Sequence, residues 1–527
     1  MVSKSAFKPI EKEGKIGFKA RNVLWYLTFS GFAINYMIRV NVSIAIVDMI
    51  DTNFKKLSSE KKVVTSECIV EQNLTTTPEL NNKSYLEDNL KYVSIERRLL
   101  DFLGVEYERD GFKWDEHQQS HVLGSFYWLH WLTQLPGGIL ATKYGTKYIF
   151  LFSNLFACLL CIIMPISCYF NYRWMTFLRV IQGFIAGFAW PAMNSLTSKW
   201  IPPNERSKFI SSYQGSSIGV AISLPILGYI IKISSWEWAF HSCAICGVIW
   251  SICWLYYVYD SPENHPRIHP KEKEYILKSL GSSVIRSDEK KIETPWKEIL
   301  TSKPVWIHSL AQWGGIWGIF TIMTQAPTYF RFIHGWGIEM AGILSGFPHL
   351  LRVTFAILFS LAGDYILSKN MMTRSNLRKL ATFFSLIVNG LAVICFALSG
   401  CNVVSAVFFL TFSLAMHGAV STGVLASIVD ISPNFSSITL GIVSTVSIMT
   451  GFVSPIVVGY ITFENQSVQA WQYIFLICAA KQLFCGTIFI LFNDSSLQSW
   501  NNPKIETTQN IKEMKALNVD IEEKNDE

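Results

Sequence analysis

Two arginines stand inside apolar stretches long enough to cross a bilayer: Arg39 within FAINYMIRVNVSIAIVD (32–48) and Arg179 within MTFLRVIQGFIAGFAWP (175–191). At the centre of a membrane helix an arginine costs at least ~2.5–3.5 kcal/mol on insertion scales, so it is kept where something polar or anionic meets it. Few intramembrane carboxylates exist to pair with either one. The chemistry these residues suit is anion recognition, because the guanidinium fork donates two parallel hydrogen bonds to a carboxylate or phosphate and stays charged at any relevant pH. The competing reading is an arginine that snorkels to a headgroup or pairs with a neighbouring acid.

The chain that must position them has 527 residues, 50% hydrophobic and 16% charged, with 36 Phe and 18 Trp. That is too apolar and too aromatic for a soluble protein of this size and points to a polytopic membrane protein. The net charge of +6 reads as asymmetry between loops, and no nucleic-acid partner is expected. Lys4, Lys8, Lys12, Lys15 and Lys19 precede the first apolar run without the short core of a cleaved signal peptide, so that run is expected to stay as a spanning helix. Of 11 cysteines only Cys68 lies in a long polar loop, so no disulfide framework is expected. Cys158/Cys161 and Cys243/Cys246 have the spacing of a metal or redox pair, but no histidine completes a ligand set, so no metal site is expected.

Runs of about 20 apolar residues, enough to span a ~30 Å hydrocarbon core, fall near 22–48, 118–142, 148–168, 172–198, 208–232, 238–258, 304–329, 339–362, 377–398, 403–428, 435–461 and 470–492. Connections rich in Lys and Arg alternate with poor ones, and the basic ones share a side with the basic N-terminus, which predicts both termini in the cytosol. The expected organisation is a cytosolic tail (1–21), a six-helix bundle (22–258) with a large outer loop (49–117), a cytosolic linker (259–303), a second six-helix bundle (304–493) and a disordered cytosolic tail (494–527). Within the linker, Lys271 to Leu280 reads as a short amphipathic helix. Asn73 and Asn82 head glycosylation sequons in the outer loop, and Asn465 heads another in the last outer connection. An internal repeat supports two bundles: Pro203 and Pro225 recur as Pro433 and Pro455 at a common offset of 230, each pair in a similar setting.

In this order and spacing several short motifs become specific: Ile38-Arg39-Val-Asn41 with Ala45-Ile46-Val47-Asp48, Gly124-Ser125-Phe126-Tyr127-Trp128, Thr133-Gln134-Leu135-Pro136-Gly137-Gly138, Arg179-Val-Ile-Gln182-Gly183, Ser198-Lys199-Trp200, Pro348-His349-Leu350 and Trp471-Gln472-Tyr473. From about Asn22 to Asn493 the chain resembles the major facilitator superfamily, in its anion:cation symporter branch of sialin-type, vesicular glutamate and sodium-phosphate transporters. It looks closest to members labelled inorganic phosphate cotransporters, through Ala311-Gln312-Trp313 and Thr324 to Phe330. The resemblance implies an all-α membrane fold of twelve helices in two six-helix bundles. It also implies secondary active transport of an organic or inorganic anion by alternating access, as a symporter with Na⁺ or H⁺. The chain departs from the family where proton-coupled members carry a glutamate (here Ala186) and a histidine (here Asn194). The glutamate transporters carry a histidine at Leu123 and a seventh-helix arginine at Gly315, so their particular substrate is put in doubt.

The resemblance places both arginines on helices that line a central cavity. Arg39 lies ten residues before the end of the first helix and Arg179 about seven after the start of the fourth, or ~10–15 Å deep at 1.5 Å per residue. On this reading both forks meet one anion, and removing either side chain leaves folding largely intact. Asn41, Tyr127, Asn194 and Gln325 are the expected polar wall, joined by Asn35, Tyr36 and Trp190, with packing as the alternative role. His417, His130 and His349 are the coupling candidates, His417 foremost, beside Arg352 and Lys481 at similar depth. No nucleophile with a base is evident, so no enzyme and no resident cofactor are expected. With no carboxylate near mid-membrane, drive by Na⁺ or membrane potential is expected ahead of protons. The alternative function is a transporter-like anion conductance or substrate sensor. A monomer in the plasma membrane is expected, ahead of a lysosomal or vesicular membrane.

Overall fold

Apolar segments of this length satisfy their peptide groups in hydrocarbon by hydrogen-bonding internally as helices, and the computed structural model follows that rule. It describes residues 19–50, 68, 95–104, 111–201, 209, 211–280, 294–432 and 435–501. The first bundle comprises α1 (Ala20–Met49), α2 (Glu116–Ser125, continued through His130–Thr133 into Gln134–Tyr144), α3 (Thr146–Phe170), α4 (Tyr172–Ala186 continued as Ala189–Trp200), α5 (Ser212–Ile233) and α6 (Trp238–Tyr257). The second comprises α7 (Lys303–Phe332), α8 (Ile338–Ser368), α9 (Arg374–Leu398), α10 (Val403–Ile431), α11 (Ile438–Thr462) and α12 (Val468–Phe492). Nine helices are long and apolar enough to cross a membrane among the described residues. Their ends fall close to the hydropathy boundaries except for α8, which continues past Gly363 and Asp364 to Ser368. A helix need not stop where its apolar run does, provided its backbone stays bonded.

The two bundles meet along α5 with α8, α2 with α11, and α1 with α7. At the end of the molecule that carries the 49–117 loop these contacts are close. A methyl group added at Gly342 on α8 would lie 2.6 Å from the Leu224 carbonyl oxygen of α5, and one at Gly459 on α11 would lie 2.2 Å from Ser120 Oγ of α2. Lys232 and Glu339 form an ion pair across the same seam. The loop end of the molecule is therefore closed between the halves.

At the opposite, basic end, the linker folds as expected into a helix, Pro270–Leu280. Its Glu272 carboxylate accepts from the backbone N–H groups of Ala20 (3.0 Å) and Arg21 (3.2 Å) and from Arg21 Nε (3.1 Å). It thereby satisfies donors that the start of α1 leaves without helical partners.

Two sequence expectations change. Cys68 is bonded to Cys401 in the turn before α10, 333 residues away, so a disulfide ties the large loop of the first bundle to the second. Spacing along the chain carries no trace of such a pairing, because it depends on the loop and the turn lying at one end of the fold. The expected disordered tail is docked at its start: Trp500 packs with Ile299, Val305, Ile431 and Phe435, and the Gln498 N–H donates to Ile431 O at 3.0 Å. One indole buried on a neighbouring helix end suffices to hold so short a segment, and polar composition conceals it. Residues 502–527 lie outside the described residues.

Candidate functional site

The arginines meet where α1, α2 and α4 are in closest contact. A methyl group at Gly183 on α4 would fall 1.7 Å from the Phe126 carbonyl oxygen, and one at Gly187 would fall 1.9 Å from Thr133 Oγ1. These glycines let α4 lie against the interrupted middle of α2, which brings Phe126, Tyr127 and His130 to the arginines.

Arg39 is 4% exposed. Its Nη2 donates to Asn35 Oδ1 at 2.9 Å and approaches His130 Nε2 at 3.3 Å, and its guanidinium carbon lies 4.4 Å from the Tyr36 ring centroid and 5.3 Å from that of Phe126. Its Nε has no partner, and neither does the buried Tyr127 hydroxyl. Asn35 is oriented in turn by donating to Asn154 Oδ1 on α3 at 2.9 Å.

Arg179 is placed beside Arg39 but is used differently. Its Nη1 donates to Ile38 O (2.8 Å) and Gln182 Oε1 (2.7 Å), and its Nη2 donates to Arg39 O (3.2 Å). Most of the fork is thus spent on the α1 backbone, and only Nε is left without a partner. Ile38 O is the carbonyl that Val42 N–H faces in a regular helix, and Val42 N–H also donates to the side-chain oxygen of Asn41 at 2.7 Å, a local bond that competes with the helical one. Asn41, fully buried, turns its Nδ2 toward Cys161 Sγ on α3 at 3.7 Å. Asn41 therefore serves the α1–α3–α4 contact, together with Gln182, which donates to Ala157 O at 2.7 Å. Gln182 is a site residue that the sequence reading passed over; its position three residues after Arg179, one helical turn on, was the available signal.

His130 has an assignable tautomer. Nδ1 lies 2.8 Å from the Gly183 carbonyl oxygen, which can only accept, so Nδ1 carries the proton. Nε2 is then the bare acceptor for the donors that face it, Arg39 Nη2 and Gln134 Nε2, both at 3.3 Å. A second proton on Nε2 would point at both donors. The neutral ring orients Arg39.

Tyr127 stands between the halves, its ring centroid 4.8 Å from that of Phe320 on α7 and its ring against Gly451 of α11. Gln325 on α7 is buried with Nε2 unpartnered. The Asn194 side chain, Asn73 and Asn82 lie outside the described residues. In the second bundle His417 Nδ1 accepts from Arg352 Nε at 3.2 Å, and Arg352 Nη1 donates to Ser217 Oγ of α5. Both ring nitrogens of the buried His349 are without partners. Lys481 lies over the Trp317 ring at 2.9 Å and is held by α7 aromatics rather than by a site. Asp430 pairs with Arg378 at 2.7 Å near one end of the bundle. Among the described residues no carboxylate faces Arg39, Arg179 or Arg352; the ion pairs lie elsewhere.

The chain is 33% identical to human (Homo sapiens) sialin over 484 residues, covering 91% of this chain and 90% of that protein. It is 29% identical to vesicular glutamate transporter 2 of Bos taurus, covering 94% of this chain and 77% of that one. Its fold resembles a bacterial homologue of the human lysosomal transporter Spinster, solved inward-facing and unoccupied, with TM-score 0.58 at 13% identity over 92% of this chain and 100% of that one. Residues 28–434 match the Major Facilitator Superfamily. By this match and by its similarity to sialin along nearly its whole length, the chain belongs to the major facilitator superfamily.

Proposed function

We propose that this protein is a secondary active transporter that carries a small organic or inorganic anion, a phosphate or carboxylate, across a membrane by alternating access. The observation that carries this reading is Arg39: a buried guanidinium ten residues, ~15 Å, from the end of α1, with no carboxylate partner among the described residues and with its Nε and the neighbouring Tyr127 hydroxyl both unsatisfied there. Unpaired buried donors are costly, and an anion with acceptor oxygens removes the cost. Vesicular glutamate transporter 2 carries, by its name, a small acid of this kind.

In this reading Arg39, Tyr127 and Gln325 contact the anion, and Arg179 and Asn41 hold the α1 backbone that presents Arg39. Asn194 remains a candidate wall residue. The basic end faces the cytosol, and the 49–117 loop lies on the other side with Asn73 and Asn82 glycosylated. His130, locked as a neutral acceptor, is a weak proton carrier, so His417 and His349 are the remaining candidates if protons are coupled. The protein works as a monomer, in the plasma membrane. An antibody stain that coincides with a vesicle marker, the location in the name of that relative, would move it there.

The deciding experiment is uptake into proteoliposomes of labelled phosphate, glutamate, sialic acid and urate, with and without Na⁺, for wild type, Arg39→Ala and Arg39→Lys. One anion is expected to accumulate, Arg39→Ala to abolish it, and lysine to restore little, since a point charge does not replace the fork. Wild-type uptake in a well-folded Arg39→Ala protein overturns the assignment. Current without trans-stimulated counterflow would mark an anion conductance instead.

A further inference from the structure

Arg352 is a third arginine within the bundle, and its surroundings exclude a lipid-facing role. It lies 14 residues into the 31-residue α8, or ~21 Å from the loop end of that helix. Two other helices bond to it, α10 through His417 and α5 through Ser217. The residue keeps partial exposure, while both of its partners, Ser217 and His417, are buried. Two of its nitrogens are committed, Nε to His417 and Nη1 to Ser217. Nη2 has no partner among the described residues.

Its setting is complementary to that of Arg39. On α1 the Arg39 guanidinium lies over the Tyr36 ring, 4.4 Å from its centroid. Arg39 belongs to the first bundle and Arg352 to the second, and Arg352 lies roughly 6 Å deeper by helical rise. Beside Arg352, the buried Nε2 of His417 is unpartnered and lies close to Gly315 of α7, where an added methyl group would fall 3.4 Å from it. The buried acids of the described residues, Glu96, Glu116, Glu237 and Glu272, all belong to helix ends or connecting segments. Arg39, Arg179 and Arg352 therefore share the interior with no counter-charge among the described residues, and of these Arg39 and Arg352, from opposite halves, are the two whose forks are not spent on backbone. A single negative charge would neutralise one of them.

We propose that Arg352, oriented by His417 and Ser217, is the anion ligand of the second bundle, and that the substrate is a small dianion bridging Arg39 and Arg352 across the two halves. This rests on the reading of Arg39 as the ligand of the first bundle. Bridging gives the cargo a structural task, since its two acidic oxygen sets bind the bundles to each other and release them when it leaves.

The test measures thermal stabilisation of the purified full chain in detergent by succinate, glutarate, inorganic phosphate and sulfate, against propionate and chloride as monoanions. At least one dianion is expected to stabilise wild type at concentrations where propionate does not. Arg352→Gln should weaken that dianion by roughly 10- to 100-fold, the loss of one charge-assisted contact, bringing it to the level of propionate. Arg352→Lys should retain part of the preference through its charge. Arg39→Gln should remove the response to both classes. If no dianion outranks propionate in wild type, or if Arg352→Gln retains the preference, the proposal is overturned. An Arg39→Gln protein that still binds the dianion with full affinity would overturn the underlying reading of Arg39 instead. If Arg352→Gln does not fold, His417→Gln decides: it keeps the charge but loses the imidazole that fixes Arg352, and an unchanged dianion preference overturns the proposal.

Discussion

Replacing Arg179 by alanine separates a residue that touches cargo from one that holds the site together. The substitution deletes three hydrogen bonds, to Ile38 O at 2.8 Å, Arg39 O at 3.2 Å and Gln182 Oε1 at 2.7 Å, in a position that is 1% exposed. Bonds to a charged donor contribute ~1.5–3 kcal/mol each, but the carbonyls relax in part, and breaking buried charged networks costs about 3–5 kcal/mol. In a chain of this size that corresponds to a fall in melting temperature on the order of 3–5 °C. Lysine reaches one carbonyl and should recover less than half. The assay is scanning fluorimetry of detergent-purified wild type, Arg179→Ala and Arg179→Lys, alongside uptake in proteoliposomes. If Arg179→Ala melts within about 1 °C of wild type while uptake is lost, the backbone-holding role is wrong and Arg179 belongs to the anion. If neither changes, it has neither role.

Transport should depend on a Na⁺ gradient or membrane voltage and only weakly on a pH gradient, measured as initial uptake with each imposed alone; steep proton-driven uptake lost in His417→Ala would assign coupling to that histidine. The Cys68–Cys401 bond predicts that a protease site inserted within 69–94 yields one ~60 kDa band without reductant and two fragments with it. Two fragments under both conditions would refute the bond. Endoglycosidase should shift the mobility of wild type more than that of the Asn73→Gln/Asn82→Gln protein, and equal shifts would show that those asparagines are not the modified ones.

The membrane class, the positions of the twelve helices and the two lone cations of the first bundle were legible from residue order, because hydropathy is a local property that a window of 20 residues averages well. The depth of Arg39 followed from counting along one helix. What was illegible was the identity of partners. Arg179 sits within an apolar run just as Arg39 does, and nothing in the run indicates that its donors reach a backbone 140 residues away. The same holds for His130, which received a coupling role from its type and loses weight in it through the Gly183 carbonyl, 53 residues distant. Arg352 reaches Ser217 across the seam between the bundles, and Cys68 reaches Cys401 at one end of it. Each of these depends on how a helix is rotated about its axis and on which helix stands opposite. A helix end is set by its own residues, but rotation and opposition are settled by packing all twelve together, with small residues such as Gly183 and Gly187 deciding where two backbones can touch. The sequence by itself therefore determined that this chain spans a membrane and holds cations within it. Only the tertiary structure decided which of those cations are spent on the protein and which are left for a ligand.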